Sequence, residues 1–292
     1  MASRVVVLGD VMLDVVVRPL GPLAPTSDTP SQIRVTRGGS GASFAVSLRL
    51  SGHETCYVGA MGRDPSSELF SRSLADAQVT TALDVVDAPT GTVVSIVSED
   101  GERMMLTDRG ANSHLRGAFV EAQLVEPFDH LHVSGYLLLY PATRAVAVQA
   151  LRHAGERRVP TSVDVCSVSP LRDVTPDVFL RSATYATQLF ANEEESLVLT
   201  DTEDAEAAAD VLTQLFDEVV ITRGARGALC AIGAERFHVA AHRVAVLDTT
   251  GAGDAATGAY LGARLHGVAP TQALAVAMEA AARVVGGLGA FG

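Results

Sequence analysis

A run of small residues ahead of a predicted helix could bind an anion. Residues 248–254 read Asp-Thr-Thr-Gly-Ala-Gly-Asp and lead into a helix predicted for residues 253–266. The small residues let the backbone turn tightly so that its N–H groups converge, and the helix N-terminus adds a partial positive charge. Such a site suits a phosphate, or the charge that develops on a phosphoryl group during its transfer.

Asp254 stands at the rim of this turn. A carboxylate in that place could take the proton from a hydroxyl group that attacks a phosphorus atom. The simpler alternative is a glycine turn in which Asp254 only caps the helix. The spacing of these residues alone leaves both interpretations open.

The elements that must hold this turn follow an alternating pattern. Short apolar runs predict strands, and apolar residues at helical spacing predict helices between them. The predicted strands are residues 5–9, 56–60, 131–134, 161–165, 188–191 and 219–222, and the predicted helices are 40–51, 66–77, 142–153, 205–216, 253–266 and 271–285. The alternation indicates βαβ units, and therefore an α/β fold with a doubly wound, mostly parallel sheet flanked by helices.

Two segments interrupt this alternation. Residues 14–37 contain four prolines between strand-like ends, and residues 91–107 have the pattern of a hairpin with an Asp-Gly turn at residues 100–101. We predict that 14–37 and 91–107 form a small discontinuous β lid over the carboxyl ends of the main strands, where open α/β folds bind ligands. An open sheet of this kind also predicts a homodimer through the lid. The predicted α/β body comprises residues 1–13, 38–90 and 108–292.

Composition excludes several classes of protein. The 292-residue chain carries 34 acidic residues against 22 Lys and Arg, a formal charge of −12, and 48% of its residues are apolar. The apolar content excludes a disordered chain, and an acidic chain without a basic patch argues against nucleic-acid binding. Glu279 and Arg283 interrupt the most apolar late stretch, which disfavours a membrane span. With three scattered cysteines that form no disulfide pattern, we predict a cytoplasmic protein with no nucleic-acid or membrane partner.

Two glycine-rich segments resemble the paired signatures of the PfkB, or ribokinase-like, carbohydrate kinase family. One is residues 248–261, and the other is residues 38–45, Gly-Gly-Ser-Gly-Ala-Ser-Phe-Ala. Shorter family-like pieces occur in the family's order at residues 9–14, 90–91, 110–112, 192–195 and 222–227. The resemblance spans nearly the whole chain. It implies a ribokinase-like fold and the ATP- and Mg²⁺-dependent phosphorylation of a hydroxyl of a small sugar or sugar acid.

Three other functions agree less well with the sequence. A nucleoside kinase of the same family would use the same chemistry with a more aromatic acceptor pocket, but aromatic residues make up only 5% of the chain and tryptophan is absent. A nicotinamide-binding protein is disfavoured because Gly9 begins no Gly-x-Gly-x-x-Gly run. A catalytically silent sugar-binding regulator is disfavoured by the retained Asp254 and the intact glycine run.

The resemblance implies roles for the residues that match the family's motifs. The catalytic residues would be Asp254 as base and Gly251, Ala252 and Gly253 as the anion hole. The acceptor would contact Asp14, Gly38, Gly39 and Ser43. The nucleotide would contact Asn192, Thr222, Gly224 and Gly227, with Glu195 ordering Mg²⁺ through water. Asp248 and Thr250 match residues that bind a monovalent cation, usually K⁺, in many members.

Two positions bear on the identity of the acceptor. Ser43 stands where many sugar kinases of the family carry asparagine, so the sequence leaves that identity open. Arg109 lies just after the predicted lid hairpin. It could bind an acidic group of the acceptor, or it could form an ion pair with a lid acid such as Asp108 or Glu102, which is the simpler interpretation.

His130 and His132 are two residues apart on a predicted strand and therefore share one face of it. They could form a metal pair, but no third ligand is apparent near them. We interpret them as structural or surface histidines.

Overall fold

The computed structural model describes residues 2–97, 103–245 and 249–287. The strands in these residues are β1 Arg4–Leu8, β2 Met12–Pro19, β3 Ser31–Gly38, β4 Glu54–Met61, β5 Thr80–Val85, β6 Gly91–Val97, β7 Arg103–Asp108, β8 His130–Ser134, β9 Thr161–Asp164, β10 Gln188–Asn192, β11 Glu218–Thr222, β12 Ala228–Ile232 and β13 Glu235–Val239. The helices are α1 Ser40–Leu50, α2 Pro65–Asp76, α3 Gly117–Gln123, α4 Tyr136–Leu139, α5 Pro141–Glu156, α6 Val168–Val174, α7 Pro176–Ser182, α8 Glu193–Thr200, α9 Ala205–Leu212, α10 Ala252–Leu265 and α11 Pro270–Val285. Within this part of the chain, no helix has both the length and the apolar character needed to cross a bilayer.

Nine of the described strands form one sheet, in the order β13-β12-β11-β10-β9-β8-β1-β4-β5. Neighbours from β5 to β11 are parallel, and β12 and β13 complete one edge as antiparallel strands. The predicted doubly wound, mostly parallel sheet is therefore confirmed. The sequence analysis assigned no strand to β5 or to the β12–β13 hairpin. Strands β5 and β13 lie at the two edges of the sheet, where a strand does not need the continuous apolar run that marks a central one.

Both faces of this large sheet are buried by helices. In β1, Val5 and Val7 pack into one apolar cluster with residues of α1, α10 and α11. Val6 and Leu8 pack into a second cluster with residues of α5 and α9. A strand that is buried on both faces must be apolar at every position, which is why β1 could be predicted from its sequence.

The other described strands form a separate small sheet in the order β3-β2-β6-β7. Strand β2 is antiparallel to β3 and parallel to β6, and β7 is antiparallel to β6. The register places aliphatic side chains together on one side, which we call the aliphatic face: Val15, Val17, Ile33, Val35, Val94, Ile96, Met104 and Leu106. More than half of the surface of Ile33, Val35, Met104 and Leu106 is exposed. The predicted turn at residues 100–101 lies outside the described residues.

Helices α1 and α10 approach each other closely because small residues line their contact. A Cβ atom on Gly258 would lie 2.6 Å from the carbonyl oxygen of Phe44, so glycine is required there. The Ser47 hydroxyl donates a hydrogen bond across the contact to the Ala255 carbonyl at 2.6 Å. This packing fixes the start of α10 against the start of α1.

Two buried histidines of β8 share one hydroxyl group. His130 Nε2 and His132 Nδ1 each lie 2.9 Å from Ser162 Oγ on β9. Burial lowers the pKa of His130 to about 3 and also lowers the pKa of His132, so both side chains are neutral. Their contacts are those of structural histidines inside the sheet, and neither lies at the surface.

We expect the substitution His130→Gln to flatten the loss of stability in acid. Between pH 6.5 and about 3 the unfolded chain binds a proton at this residue that the folded protein does not accept. The wild-type protein therefore loses about 1.4 kcal/mol of unfolding free energy per pH unit at this site as the pH falls. The free energy of unfolding, measured with urea at several pH values between pH 6 and pH 4, should have a slope against pH that is smaller by about that amount in the variant. The exposed His114→Gln variant is the control, and a wild-type slope in His130→Gln would contradict the neutral buried state.

Candidate active site

The glycine turn leaves backbone donors open at the start of α10. Gly251 caps the helix in the left-handed conformation, with a φ of +74°, and no described side chain bonds to this helix end. The Ala252 amide donates to the Thr249 carbonyl at 3.2 Å, whereas the amides of Gly253 and Asp254 lie in the first turn, where the helix provides no acceptor. A Cβ atom on Gly253 would meet no described atom within 4 Å. The turn therefore has both the room and the N–H groups to receive an anion.

The partly buried Asp254 side chain extends from this turn towards α1. Ser40 Oγ donates a hydrogen bond to Asp254 Oδ1 at 2.6 Å. Burial raises the pKa of Asp254 to about 6, against the lowering effect of the Ser40 hydrogen bond. The negative charge of Asp14 raises this pKa further, and the positive charge of Arg37 lowers it. A carboxylate with such a pKa is charged at neutral pH and basic enough to take a proton from a hydroxyl group.

The turn, Asp254 and the carboxyl ends of β9, β10 and β11 line an open cavity of about 150 Å³. Six residues that the sequence analysis singled out line it: Asn192, Glu195, Thr222, Gly251, Gly253 and Asp254. Residues that it had not selected also line the cavity: Asp164, Cys166, Ala191 and Thr257. Motifs that are far apart in the sequence thus meet at one place.

Asn192 and Glu195 bond to each other's backbone. Asn192 Oδ1 accepts from the Glu195 amide at 2.9 Å, and Glu195 Oε2 accepts from the Asn192 amide at 2.8 Å, which forms a capping box at the start of α8. Burial raises the pKa of Glu195 to about 7, with the Asn192 hydrogen bond opposing the rise and the charge of Asp254 adding to it. The Asn-x-x-Glu spacing therefore stabilises the helix in addition to any role at a cofactor.

Asp164 adds a third carboxylate to the cavity. It is the last residue of β9 and accepts hydrogen bonds from the Cys166 amide at 3.2 Å and the Thr257 hydroxyl at 3.4 Å. Burial raises the pKa of Asp164 well above its usual range, and the charges of Glu195 and Asp254 add to the rise. No role was predicted for Asp164, although its position at the carboxyl end of a predicted strand was an available signal.

Asp164 and Glu195 make the cavity suitable for a divalent cation. The charge of Glu195 raises the pKa of Asp164, and a cation beside the two carboxylates would relieve this repulsion. Carboxylate oxygens are ligands that Mg²⁺ prefers. In the part of the chain that the structure describes, no three His, Cys, Asp or Glu side chains converge into a metal cage. The donor set therefore fits an ion that keeps most of its water ligands.

Thr222 ends β11 and leads into a tight loop beside the cavity. The Arg223 amide donates to the Gly227 carbonyl at 2.7 Å. Gly227 has a φ of +92°, and a Cβ atom there would lie 1.9 Å from the Val239 carbonyl oxygen, so glycine is required. Gly224 has a φ of +53° and faces open space. Of the loop residues that were predicted, Thr222 lines the cavity, and the two glycines shape the loop behind it.

The predicted acceptor residues gather where the small sheet joins α1. A Cβ atom on Gly38 would lie 1.9 Å from Asp14 Oδ1, so the carboxylate occupies the place of a side chain. Gly39 has a φ of +99°, which also requires glycine. Ser43 faces the glycine turn, because a Cβ atom on Gly251 would lie 3.6 Å from Ser43 Oγ. Asp248 lies outside the described residues, so the cation site predicted for Asp248 and Thr250 stays a prediction.

Arg109 is already paired. Its two terminal nitrogens donate to the carboxylate of Asp10 at 2.5 and 2.7 Å, and its guanidinium lies 4.1 Å from the ring centre of Tyr140. An ion pair was predicted, but the proposed partner Asp108 was wrong, and Glu102 lies outside the described residues. Asp10 is only 2% exposed, so this pair keeps a buried carboxylate compensated and occupies Arg109.

Comparison with known proteins agrees with this geometry. The family model described as "pfkB family carbohydrate kinase" matches residues 2–291. Fructosamine kinase of Bacillus subtilis is 28% identical over 87% of this chain and 86% of its own. The 1-phosphofructokinase of Haloferax volcanii is 30% identical over 86% of this chain and 80% of its own. The crystal structure of adenosine kinase from Sinorhizobium meliloti has a TM-score of 0.90 at 24% identity, covering 100% of this chain and 96% of that one. Because this family model covers nearly the whole sequence, the chain belongs to the pfkB family of carbohydrate kinases.

Proposed function

We propose that this protein transfers the terminal phosphoryl group of ATP to a hydroxyl of a small sugar or sugar acid. One observation carries the proposal: the Asp254 carboxylate and the glycine turn at the start of α10 line the same cavity. A base and an anion-binding helix N-terminus are the two parts that phosphoryl transfer to an alcohol needs. The names of relatives such as fructosamine kinase and 1-phosphofructokinase support an acceptor of the sugar type.

In the proposed mechanism, Asp254 and the amides of the glycine turn have separate roles. Asp254 takes the proton of the acceptor hydroxyl as its oxygen attacks the phosphorus in line with the leaving group. The amides from Gly251 to Gly253 face the oxygens of the transferring group and stabilise their charge, although Ala252 must first release the Thr249 carbonyl.

The nucleotide would bind at the carboxyl ends of β10 and β11. We place ATP against Asn192, Thr222 and the loop that contains Gly224 and Gly227. Glu195, with Asp164 beside it, would hold Mg²⁺ through water ligands. When bound, Mg²⁺ supplies positive charge to the phosphate oxygens. Asp248 and Thr250 would bind a monovalent cation such as K⁺.

The acceptor side involves the small sheet. We assign residues 14–37 and 91–107 to a lid that closes over the acceptor, and the rest of the chain to the body. Asp14 and Ser43 would bond to acceptor hydroxyls, and Gly38-Gly39 would let the backbone approach the sugar closely. Closure would exclude water from the site before transfer.

We expect neutral sugars to be phosphorylated at least as fast as sugar acids, because Arg109 is occupied by Asp10. The test measures ADP release with Mg-ATP over a panel of neutral sugars, sugar acids, sugar phosphates and nucleosides. Turnover of sugar acids alone would contradict the role of this ion pair. Turnover of nucleosides alone would show that the acceptor is a nucleoside and not a sugar. No turnover with any of these alcohols would reject the proposed kinase activity.

We expect Asp254→Asn to lower kcat by about 10²–10⁴ with little change in KM, because the general base is lost. The same variant should be more stable at pH 7.5, by up to about 3 kcal/mol, since it removes a partly buried charge whose pKa is raised to about 6. A raised carboxyl pKa destabilises the folded protein above that pKa, so the gain should shrink as the pH falls towards 4. Steady-state kinetics and urea unfolding measure the two effects.

The matched control is Asp177→Asn, which removes an exposed acid from the first turn of α7. It should change neither kcat nor stability appreciably. Activity of Asp254→Asn within about tenfold of the wild type would remove Asp254 from the role of base.

We also propose that the aliphatic face of the small sheet pairs with a second copy of this chain. Eight aliphatic side chains lie together on it, and Ile33 and Met104 are each 63% exposed. Exposed apolar patches of this kind mark interaction sites, and covering the face would remove these side chains from water.

The double substitution Ile33→Lys with Met104→Lys should convert a dimer into a monomer in sedimentation experiments, because it places charges in the buried interface. The control Val125→Lys changes an equally exposed apolar residue outside the small sheet, with 67% of its surface accessible. A monomeric wild-type protein would reject the proposal.

We place the protein in the cytoplasm. Cys56, Cys166 and Cys230 are all free thiols, which is typical of a reducing compartment. Fractionation of cells that produce the protein would test this location.

A further inference from the structure

Ser40 begins helix α1 but directs its hydroxyl to another helix. The N-cap of α1 is Gly39, and no described side chain bonds to the amides of this helix end. Ser40 is the first residue inside the helix, one position after the N-cap where a serine would accept a hydrogen bond from an amide of the first turn. Ser40 Oγ instead donates to Asp254 Oδ1 at 2.6 Å, across 214 residues of sequence. This length is typical of a hydroxyl bonded to a charged carboxylate.

Cys166 lies on the other side of Ser40. Cys166 Sγ lies 3.5 Å from Ser40 Oγ and 3.4 Å from Ser134 Oγ. The Ser40 proton goes to Asp254, and the Cys166 thiol donates its single proton to the Asp164 carbonyl at 3.5 Å. The Cys166 sulfur therefore packs against the Ser40 oxygen without competing for the Ser40 proton. Cys166 also has a φ of +74°, a conformation that non-glycine residues rarely adopt.

The packing of α1 against α10 holds the two ends of this hydrogen bond at a fixed distance. Two further contacts lie along the same interface. Gly258 packs closely against the Phe44 carbonyl, and Ser47 donates to the Ala255 carbonyl. Neither helix can slide along the other without breaking these contacts. The Ser40 hydroxyl is therefore presented to Asp254 by the fold itself.

We propose that Ser40 is a positioning residue for phosphoryl transfer, whose hydroxyl anchors Asp254 Oδ1 so that Oδ2 faces the acceptor hydroxyl. The inference rests on the proposed function, because it takes Asp254 as the base. Without the hydroxyl, the carboxylate is free to rotate and loses a donor that favours its charged form. The Ser40 hydrogen bond lowers the pKa of Asp254, so its loss should raise that pKa and shift the acid side of the activity profile to higher pH.

Other charged or titratable groups also face Asp254 from the surrounding elements. They are Asp14 of β2, Arg37 of β3, Tyr57 of β4, Tyr136 of α4, Asp164 and Cys166 at the end of β9, and Glu195 of α8. A substitution at Ser40 replaces none of these residues, and Cys166 is the one in this list that also contacts Ser40. The difference between the pH profiles of variant and wild type therefore reports on Ser40.

The experiment records kcat and KM from pH 5 to pH 9 for the wild type, Ser40→Ala, Ser40→Thr and Ser47→Ala. We expect Ser40→Ala to lower kcat by about tenfold with KM nearly unchanged, and to move the acid limb up by about one pH unit. Ser40→Thr keeps the hydroxyl and should restore both values. Ser47→Ala is the matched control, because Ser47 also donates from α1 to α10 but bonds to a carbonyl. It should lower the unfolding temperature and leave the acid limb in place.

The outcomes separate this inference from the proposed function. A wild-type kcat and acid limb in Ser40→Ala, together with an inactive Asp254→Asn, would overturn the role of Ser40 and leave the kinase assignment intact. An equal shift in Ser47→Ala would also overturn it, because the effect would then be general to the interface. An active Asp254→Asn would instead reject the proposed base. If Ser40→Ala does not fold, Ser40→Cys, a weaker donor of similar volume, should shift the acid limb in the same direction by less, and an unshifted limb would overturn the inference.

Discussion

The carboxylate of Asp254 is partly withdrawn from bulk water at the first turn of a helix, and the surrounding groups compensate for that position. Burial favours the neutral acid and raises the pKa to about 6. The Ser40 hydrogen bond, the positive charge of Arg37 and the N-terminus of α10 all favour the charged form. The balance leaves a group that is ionised at neutral pH and still accepts a proton readily. A fully solvated carboxylate would be a much weaker base, and a fully uncompensated one would be neutral.

The geometry that maintains this balance comes from small residues between α1 and α10. Gly258 allows the two backbones to approach, and Ser47 bonds across the contact. Gly39 directly precedes Ser40, so the connection from the small sheet runs straight into the residue that holds Asp254. The small sheet and the start of α10 are therefore connected through one short stretch of backbone and the Ser40 hydrogen bond.

The buried titratable groups of the molecule affect stability in opposite directions as the pH changes. Raised pKa values at Glu195 and Asp254 make the folded protein relatively more stable as the pH falls from about 7 towards 4. The lowered pKa values of His130 and His132 make it relatively less stable over much of the same range. The two effects partly cancel between pH 4 and pH 6.5, so the site's repulsive charges and the sheet's neutral histidines together flatten the dependence of stability on pH.

The sequence by itself determined the layered α/β architecture, the small second sheet and most of the residues around the cavity. These are local properties, since apolar periodicity, a run of small residues and a following helix are written in consecutive positions. Only the tertiary structure brought Ser40 and Asp164 to Asp254, paired Arg109 with Asp10 and turned the aliphatic face outward. Each of those contacts joins residues that are distant in the chain or depends on the order and register of strands. A single sequence does not encode that order as a local pattern, because it is decided by how the whole core packs.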